Sequence, residues 1–531
     1  MVPKPLPARP SLEQYKKQAK ELLKSCHAAD AEAIRRVKAN HPRFNKLSEV
    51  DLRNTKLALA DAQLVIAREH GFESWQKFAN RIEVMNCEIA ALANPVAVFI
   101  EAAIWHGTLE AAEAILAAHP EIARTSIHAA AILGDDAAVQ RFIALDPRNA
   151  TRKEAPYDGD ALVYLCLSNY LRLDKTRSAA FVRTATALLD AGADANSGFW
   201  SKDEHREFET ALYGAAGVAH HAELTRLLLE RGADPNEEET PYHSPESYDN
   251  GAVRALVESG KLNADSLTTM LVRKADMHDY DGMKYLLEHG ADPKRMTRWK
   301  VTALHQALRR DNSLAHIELM LDHGGDPKLP NHLDGRSGVV MAARRGRGDV
   351  LAAFGRRGIP IQMNGVDRLV AVCVMNDDAA VHSISKREPQ LVAKVLAEGG
   401  TLLAEFAGND NSEGVRLLLD LGVNVAARYE GDPYFDIARD STALHVAAWK
   451  AWHKTVKLLI ERGAPINAED AKGRTALALA VKACVDSYWT NRRSPESVEA
   501  MLRAGASVSA VDFPSGYAEV DVLLQSYANK V

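Results

Sequence analysis

Between Thr442 and Arg474 the apolar positions fall in two short bursts separated by polar turns: Leu444, Ala447 and Ala448, then Val456, Leu458, Leu459 and Ile460. Spacing of three and four within each burst predicts a pair of short amphipathic helices. Thr442 is placed to cap the first through its hydroxyl, and the small residues that follow let a neighbouring helix approach closely. Gly463 stands where a helix ends in a left-handed turn that glycine adopts without strain. Asn467 to Arg474 is polar, and Thr475 then opens the same pattern 33 residues after Thr442. Two short helices cannot bury an apolar face alone, so such a unit draws its stability from stacked copies.

The same rhythm organises the rest of the chain. Residues 1–10 carry four prolines and no periodicity, which predicts an extended, mobile lead-in. From Ser11, a capping-box pattern with Gln14 opens a helix with Leu12, Tyr15, Ala19, Leu22 and Leu23 on one face; a second helix is expected over 29–37, and two more within 58–82 around Gly71. Residues 11–95 thus read as a helical N-terminal cap region, 96–512 as an array of about eleven or twelve units, several degenerate, and 513–531 as a C-terminal capping half-unit. Openers are expected at Thr125, Asp160, Thr210, Thr240, Thr268, Thr302, Ser337, Thr401, Thr442 and Thr475. Extra residues between paired helices are expected near 171–178 and 486–495, Pro245 should shorten the Thr240 unit, and 366–400 fits only weakly.

The segments TALH (442–445) and LLIERGAPIN (458–467), with the 33-residue return, resemble the ankyrin repeat. The N-terminal SLEQYKKQAKELL, the ADPNEEETPYHSPESYDN stretch and GVRLLLDLGVNV are similar to segments of a bacterial ankyrin-repeat-domain family of unknown function that has a helical N-terminal cap. The resemblance implies an all-α ankyrin-repeat solenoid of stacked helix-turn-helix units with connecting loops and β-hairpin fingers. It also implies that His128, His305 and His445 tie neighbouring loops together by hydrogen bonds.

Composition narrows the function classes. Only 6% of residues are aromatic against 47% apolar, which suits thin helix-on-helix packing. A net charge of −6 disfavours nucleic acid as a partner, and no apolar run approaches the length of a membrane span. Cys26, Cys87, Cys166, Cys373 and Cys484 are odd in number and scattered, as reduced thiols of a cytoplasmic protein would be. There is no HExxH, no GxSxG, no phosphate-binding glycine loop and no Cys/His cluster at metal spacing, so no catalytic residue, cofactor or metal is expected. His289 and His323 precede helix-ending glycines, where a cation suits the helix dipole.

The expected function is a non-catalytic scaffold for a protein partner. In ankyrin arrays the seventh and eighth residues after the opener face the concave surface; here that offset selects Trp105-His106, Arg309-Arg310, Arg344-Arg345 and Trp449-Lys450. Arginine pairs suit carboxylates, and exposed tryptophan anchors interfaces, so an acidic partner segment is the expected ligand. Two long connecting loops add Phe199, Trp200, Tyr429, Tyr434 and Phe435, which either reach a partner or fold back onto their own repeat. The alternative is an enzyme or small-ligand protein with a pocket at the Thr240 unit, near Tyr242, His243, Tyr248 and Asp249.

Overall fold

Within each of two units the repeat pattern folds as short helix pairs packed through apolar faces of alanine and leucine. A computed structural model describes residues 3–7, 9–45, 47, 57–91, 94–202, 204 and 206–528. Parts of the expected lead-in, cap region, hairpin loop and tail, and the Cys87 side chain, lie outside the described residues. The chain divides into two compact units, Met1–Asp292 and Pro293–Val531.

The first unit begins with helices Leu12–His27, Ala31–Asn40, Leu59–Glu69 and Trp75–Ala91. They enclose a core of their own around Tyr15, Leu22, Ile34, Val37, Phe44, Val65, Ile66, Phe78 and Ile82. The lead-in expected to be mobile is tied to it: Lys4 N donates to Glu69 O at 2.8 Å, and Asn86 Nδ2 donates to Pro10 O at 3.1 Å. The cause is Glu69, buried and paired with both Lys4 and Arg36. Helix pairs follow, among them Ile127–Ile132 with Asp136–Leu145, Ala161–Cys166 with Ser178–Asp190, and Ala264–Asp276 with Tyr280–Glu288. The extra residues near 171–178 form a short helix, Asn169–Leu173, and a 3-10 turn, Lys175–Arg177.

A single antiparallel strand pair interrupts the helices among the described residues, Gly198–Trp200 with Phe208–Thr210. The Thr240 unit keeps only Glu239–His243 as its first helix, as its prolines require. Thr268 is not an opener: Asn263 caps that helix, and the Thr268 hydroxyl, one turn inside, donates back to Ala264 O at 2.7 Å.

The second unit stacks Ala303–Arg309 with Leu314–Asp322, Gly338–Arg344 with Gly348–Arg356, and Gly365–Val374 with Asp378–Arg387. An unexpected helix, Pro389–Ala397, then runs almost directly into Gly399–Gly408, so Thr401 lies inside a helix and caps nothing. Ala443–Trp449 with His453–Glu461, and Ala476–Val485 with Glu496–Arg503, complete the strong pairs. Gly346, at φ +72°, lets the turn after Gly338–Arg344 sit directly on Gly399–Gly408; a Cβ there would lie 2.7 Å from Phe406 Cα. Asn411 Nδ2 clasps the same junction, donating to Gly346 O at 2.9 Å and Val374 O at 3.1 Å. The intervening helix Gly365–Val374 is held in the same junction, and helices far apart in sequence meet there.

The repeat's histidines do the tying expected of them. The Nε2 atoms of His128, His305 and His445 reach Arg152 O at 2.7 Å, Leu329 O at 3.0 Å and Arg474 O at 3.2 Å. In two of these the Nδ1 accepts from the opener's backbone, Thr302 N at 3.2 Å and Thr442 N at 3.1 Å. Burial keeps all three imidazoles neutral, lowering their pKa values. The Thr442 hydroxyl therefore pairs with His445 Nδ1 rather than with a backbone N–H. His289 and His323 place Nδ1 on the carbonyls of Tyr285 and Leu319 at 2.7 and 2.9 Å, closing their helix ends.

Candidate partner-binding surface

A first helix of a repeat ends in a tight turn, and the candidate cations stand at those ends, where positive charge also suits the helix dipole. Ala303–Arg309 ends at Arg309, with Arg310 next and Asp311 in the left-handed region at φ 52°. Gly338–Arg344 ends at Arg344 and Arg345, and Ala443–Trp449 at Lys450.

The strip is not uniformly displayed. Arg345 turns inward between Asp311, at 2.7 Å, and Glu405, at 3.3 Å, with its side chain only 13% exposed. Lys450 is buried and pairs with Asp311 from 139 residues away. Asn409 Nδ2 donates to Asp311 Oδ1 at 3.1 Å and Tyr429 OH to Glu405 Oε1 at 3.2 Å, closing a buried cluster of two cations and two carboxylates. Burial would raise the Asp311 carboxyl, but Arg345 and Lys450 outweigh it and hold Asp311 well below the usual carboxylate range. Glu405 is pushed up instead, by burial and by the Asp311 charge, against Arg345. Arg347 is also buried, held bidentate by Asp349 and donating to Asn312 O at 2.7 Å.

Arg309 remains exposed, and Arg344, though paired with Asp367 and Glu398, is half-buried at the edge of an open pocket. That pocket, of about 500 Å³, is lined by Arg309, Arg336, Arg344 and Arg345, by the carboxylates Asp334, Glu398 and Glu405, and by apolar Val301, Leu333, Met341 and Leu402. Leu333 is 57% exposed at its edge. Arg336 pairs with Asp334 at 3.2 Å at the exposed rim, so the lining alternates guanidinium groups with carboxylates over an apolar floor that can take a side chain. Arg336 was not among the expected residues, because it lies in the connecting loop rather than at the repeat offset.

The expected tryptophan anchor is corrected by its surroundings. Trp449 is buried, donating Nε1–H to Phe435 O at 2.6 Å and meeting Trp489 edge-on at 5.9 Å. The loop 423–441 folds back on its own repeat: Phe435 is buried under Lys450, whose Nζ lies 4.0 Å from the ring centre. Burial works to raise the neighbouring Asp436 carboxyl, yet Lys472, Arg474 and Lys482 hold it at about 2 and so pin the loop. Tyr434 alone of the expected loop pair stays exposed, beneath the Arg310 guanidinium at 3.5 Å.

In the first unit Trp105 is half-buried at φ 48°, stacked on His106 and donating Nε1–H to Tyr213 OH at 3.3 Å. Trp200 is 53% exposed on the strand pair. The residues named for a ligand pocket at the Thr240 unit are spent locally: His243 bridges Glu239 and Glu246, Tyr242 lies under Arg273, Tyr248 OH donates to Met277 O at 2.6 Å, and Asp249 accepts from Gly251 N.

Sequence reasoning passed over the carboxylates that draw Arg345 and Lys450 inward. Glu405 carried a signal, since it is the one charge in the apolar run GGTLLAEFAG. Asp311 directly follows Arg309-Arg310, where its pairing depends on partners far along the chain. Among the described residues, no group of three or more His, Cys, Asp or Glu could hold a metal ion, and no helix is long and apolar enough to cross a membrane.

A family model described as ankyrin repeats (3 copies) matches residues 369–470. No curated protein matches. Among solved structures, the chain is similar to the crystal structure of the human ASB11 ankyrin repeat domain, at 21% identity over 51% of this chain and 99% of that one. Their TM-score is 0.23, too loose a superposition to carry an argument. The matched stretch holds Tyr429, Tyr434, Phe435, Trp449 and Lys450 and ends before Arg474. Residues 369–470 are thus ankyrin repeats within an all-α solenoid of helix pairs, and repeats of this kind serve in general as protein–protein interaction modules.

Proposed function

We propose that the chain is a non-catalytic scaffold that holds a protein partner, and that an acidic segment of this partner enters the pocket of the second unit beside Arg309, Arg336 and Arg344. The observation that carries the reading is the pocket itself: an open recess of about 500 Å³ where exposed guanidinium groups rim an apolar floor. Planar guanidinium groups bind carboxylates bidentately and keep unused donors even when already paired once. Arg345 and Lys450 have a different part. Buried and neutralised, they fix the wall that the pocket leans on.

This division changes which substitutions are informative. Reversing Arg345 would break a buried ion cluster and unfold the wall, so loss of binding would mean nothing. Arg309→Glu with Arg336→Glu alters only exposed groups. With the intact chain as bait in a lysate of its source cell, a partner retained by the intact form should be lost from this double variant, at unchanged circular dichroism and melting. Equal capture by both would remove the pocket from the account.

A further inference from the structure

The first unit carries a second recess, built on the only strand pair among the described residues. Phe199 and Glu209 face each other across the pair and point inward, both buried, while Trp200 and Phe208 face each other on the outer side with ring centres 5.2 Å apart. Phe199 stacks on Tyr157 at 4.7 Å and also meets Tyr164, fastening the hairpin to the turn 153–158. Gly198 is needed for this closeness, since a Cβ would lie 2.6 Å from Glu209 O. Between hairpin and turn opens a recess of about 640 Å³ whose lining includes Lys153, Tyr157, Trp200, Lys202, Arg206 and Phe208.

Its lining combines exposed aromatic rings with cations. Trp200 is 53% and Phe208 39% exposed, an apolar area left without cover. Lys153, Lys202 and Arg206 are all exposed, and among the described residues none of them has an ion-pair partner, whereas the cations of the second unit's cluster are closely neutralised. Among the described residues, Asp158 is the one carboxylate in the lining. Lys202 lies over the Tyr157 ring at 4.6 Å and Arg206 over Trp200 at 5.7 Å, so the aromatic faces hold the cations in place and leave their outer sides open.

We propose that this recess is a separate docking site for a short acidic peptide segment carrying an aromatic or aliphatic side chain. Carboxylates meet Lys153, Lys202 and Arg206 without disturbing the cation–π pairs, and the apolar side chain covers Trp200 and Phe208. The volume suits a few side chains. The pocket of the second unit has no part in this site.

The test uses the whole chain and a fluorescein-labelled peptide, Asp-Glu-Asp-Phe-Asp-Glu-Asp, read by fluorescence anisotropy. Binding should weaken by about tenfold or more in Lys202→Glu with Arg206→Glu, and it should fall steeply with added salt. Trp200→Ala should weaken it by about fivefold or more, as loss of an aromatic anchor does. Lys202→Gln with Arg206→Gln, which removes charge without reversing it, should give an intermediate loss and guards against misfolding. In Arg309→Glu with Arg336→Glu the binding at this recess should persist. Loss in that variant alone, with Lys202→Glu and Arg206→Glu harmless, would overturn the second site while leaving the first reading intact. No binding by the intact chain, equal binding of a Lys-for-acid control peptide, or displacement by equimolar ATP or phosphatidylserine vesicles would also overturn it.

Discussion

Asp311 is the residue on which the second unit's charges balance. Two cations, Arg345 and Lys450, converge on it in a buried site, and each arrives from a different repeat. Asp311→Asn keeps the shape and removes the charge, leaving both cations facing only Glu405. Breaking a buried ion cluster from one side costs about 3–5 kcal/mol, so the unfolding free energy of this unit should fall by that amount, seen as a lower urea midpoint. Arg309→Glu, at an exposed helix end, should stay within about 0.5 kcal/mol of the parent. Sequence offset treated these arginines alike, because the repeat number fixes a position in the turn and says nothing about what stands opposite. The opposing groups lie 34, 60 and 139 residues away in the pairs Arg345–Asp311, Arg345–Glu405 and Lys450–Asp311, beyond any local periodicity.

Elements were legible where caps and periodicity agreed. The pairs opened by Thr302, Ser337, Thr442 and Thr475 begin at those residues because the hydroxyl or its histidine partner satisfies the first turn. Thr268 and Thr401 misled because a threonine inside a helix reads like an opener; Asn263 caps one helix, and Gly399 starts the other with no side-chain cap. The loop 423–441 was open to two readings, and burial decided between them. Phe435 and Trp449 share a core with Trp489, so Phe435→Ala should cost about 3–5 kcal/mol, visible as a lower melting temperature of the whole chain. A merely displayed aromatic would cost almost nothing. Trp200, on the other long connection, is displayed instead, and the cations Lys202 and Arg206 that join it lie in a connecting loop, outside any repeat offset.

Each compact unit carries its own response to pH. In the first, Glu209 is buried with Oε2 unpartnered, and burial together with the nearby Glu239 and Glu207 charges pushes its pKa from 4.5 to about 8. Burial works against protonated His243, but Glu239 and Glu246 outweigh it and raise the imidazole from 6.5 to about 9. Both folded values exceed the unfolded ones, so the folded unit keeps protons that the unfolded chain releases. Its stability is complete below about pH 4.5 for Glu209 and 6.5 for His243, and is lost as pH rises through about 8 and 9. In the second unit the depressed Asp311 contributes above its unfolded value of 3.8 and fails as acid protonates it. Urea unfolding should therefore show two transitions, with alkali lowering one and acid the other, and Glu209→Gln should flatten the alkaline slope. The sequence pointed to a weak middle at 366–400, whereas the compact units part at Asp292; the clasp of Asn411 on Gly346 and Val374 explains why 366–400 is held.

The most direct test of the scaffold account is a photo-crosslinker in place of Leu333, the exposed side chain at the edge of the arginine pocket. Irradiated in its source cell, the intact chain should give a covalent adduct to an acidic stretch of one protein, and Arg309→Glu with Arg336→Glu should abolish it. An adduct that survives this double substitution, or one formed only from a control position such as Val522, would contradict the account.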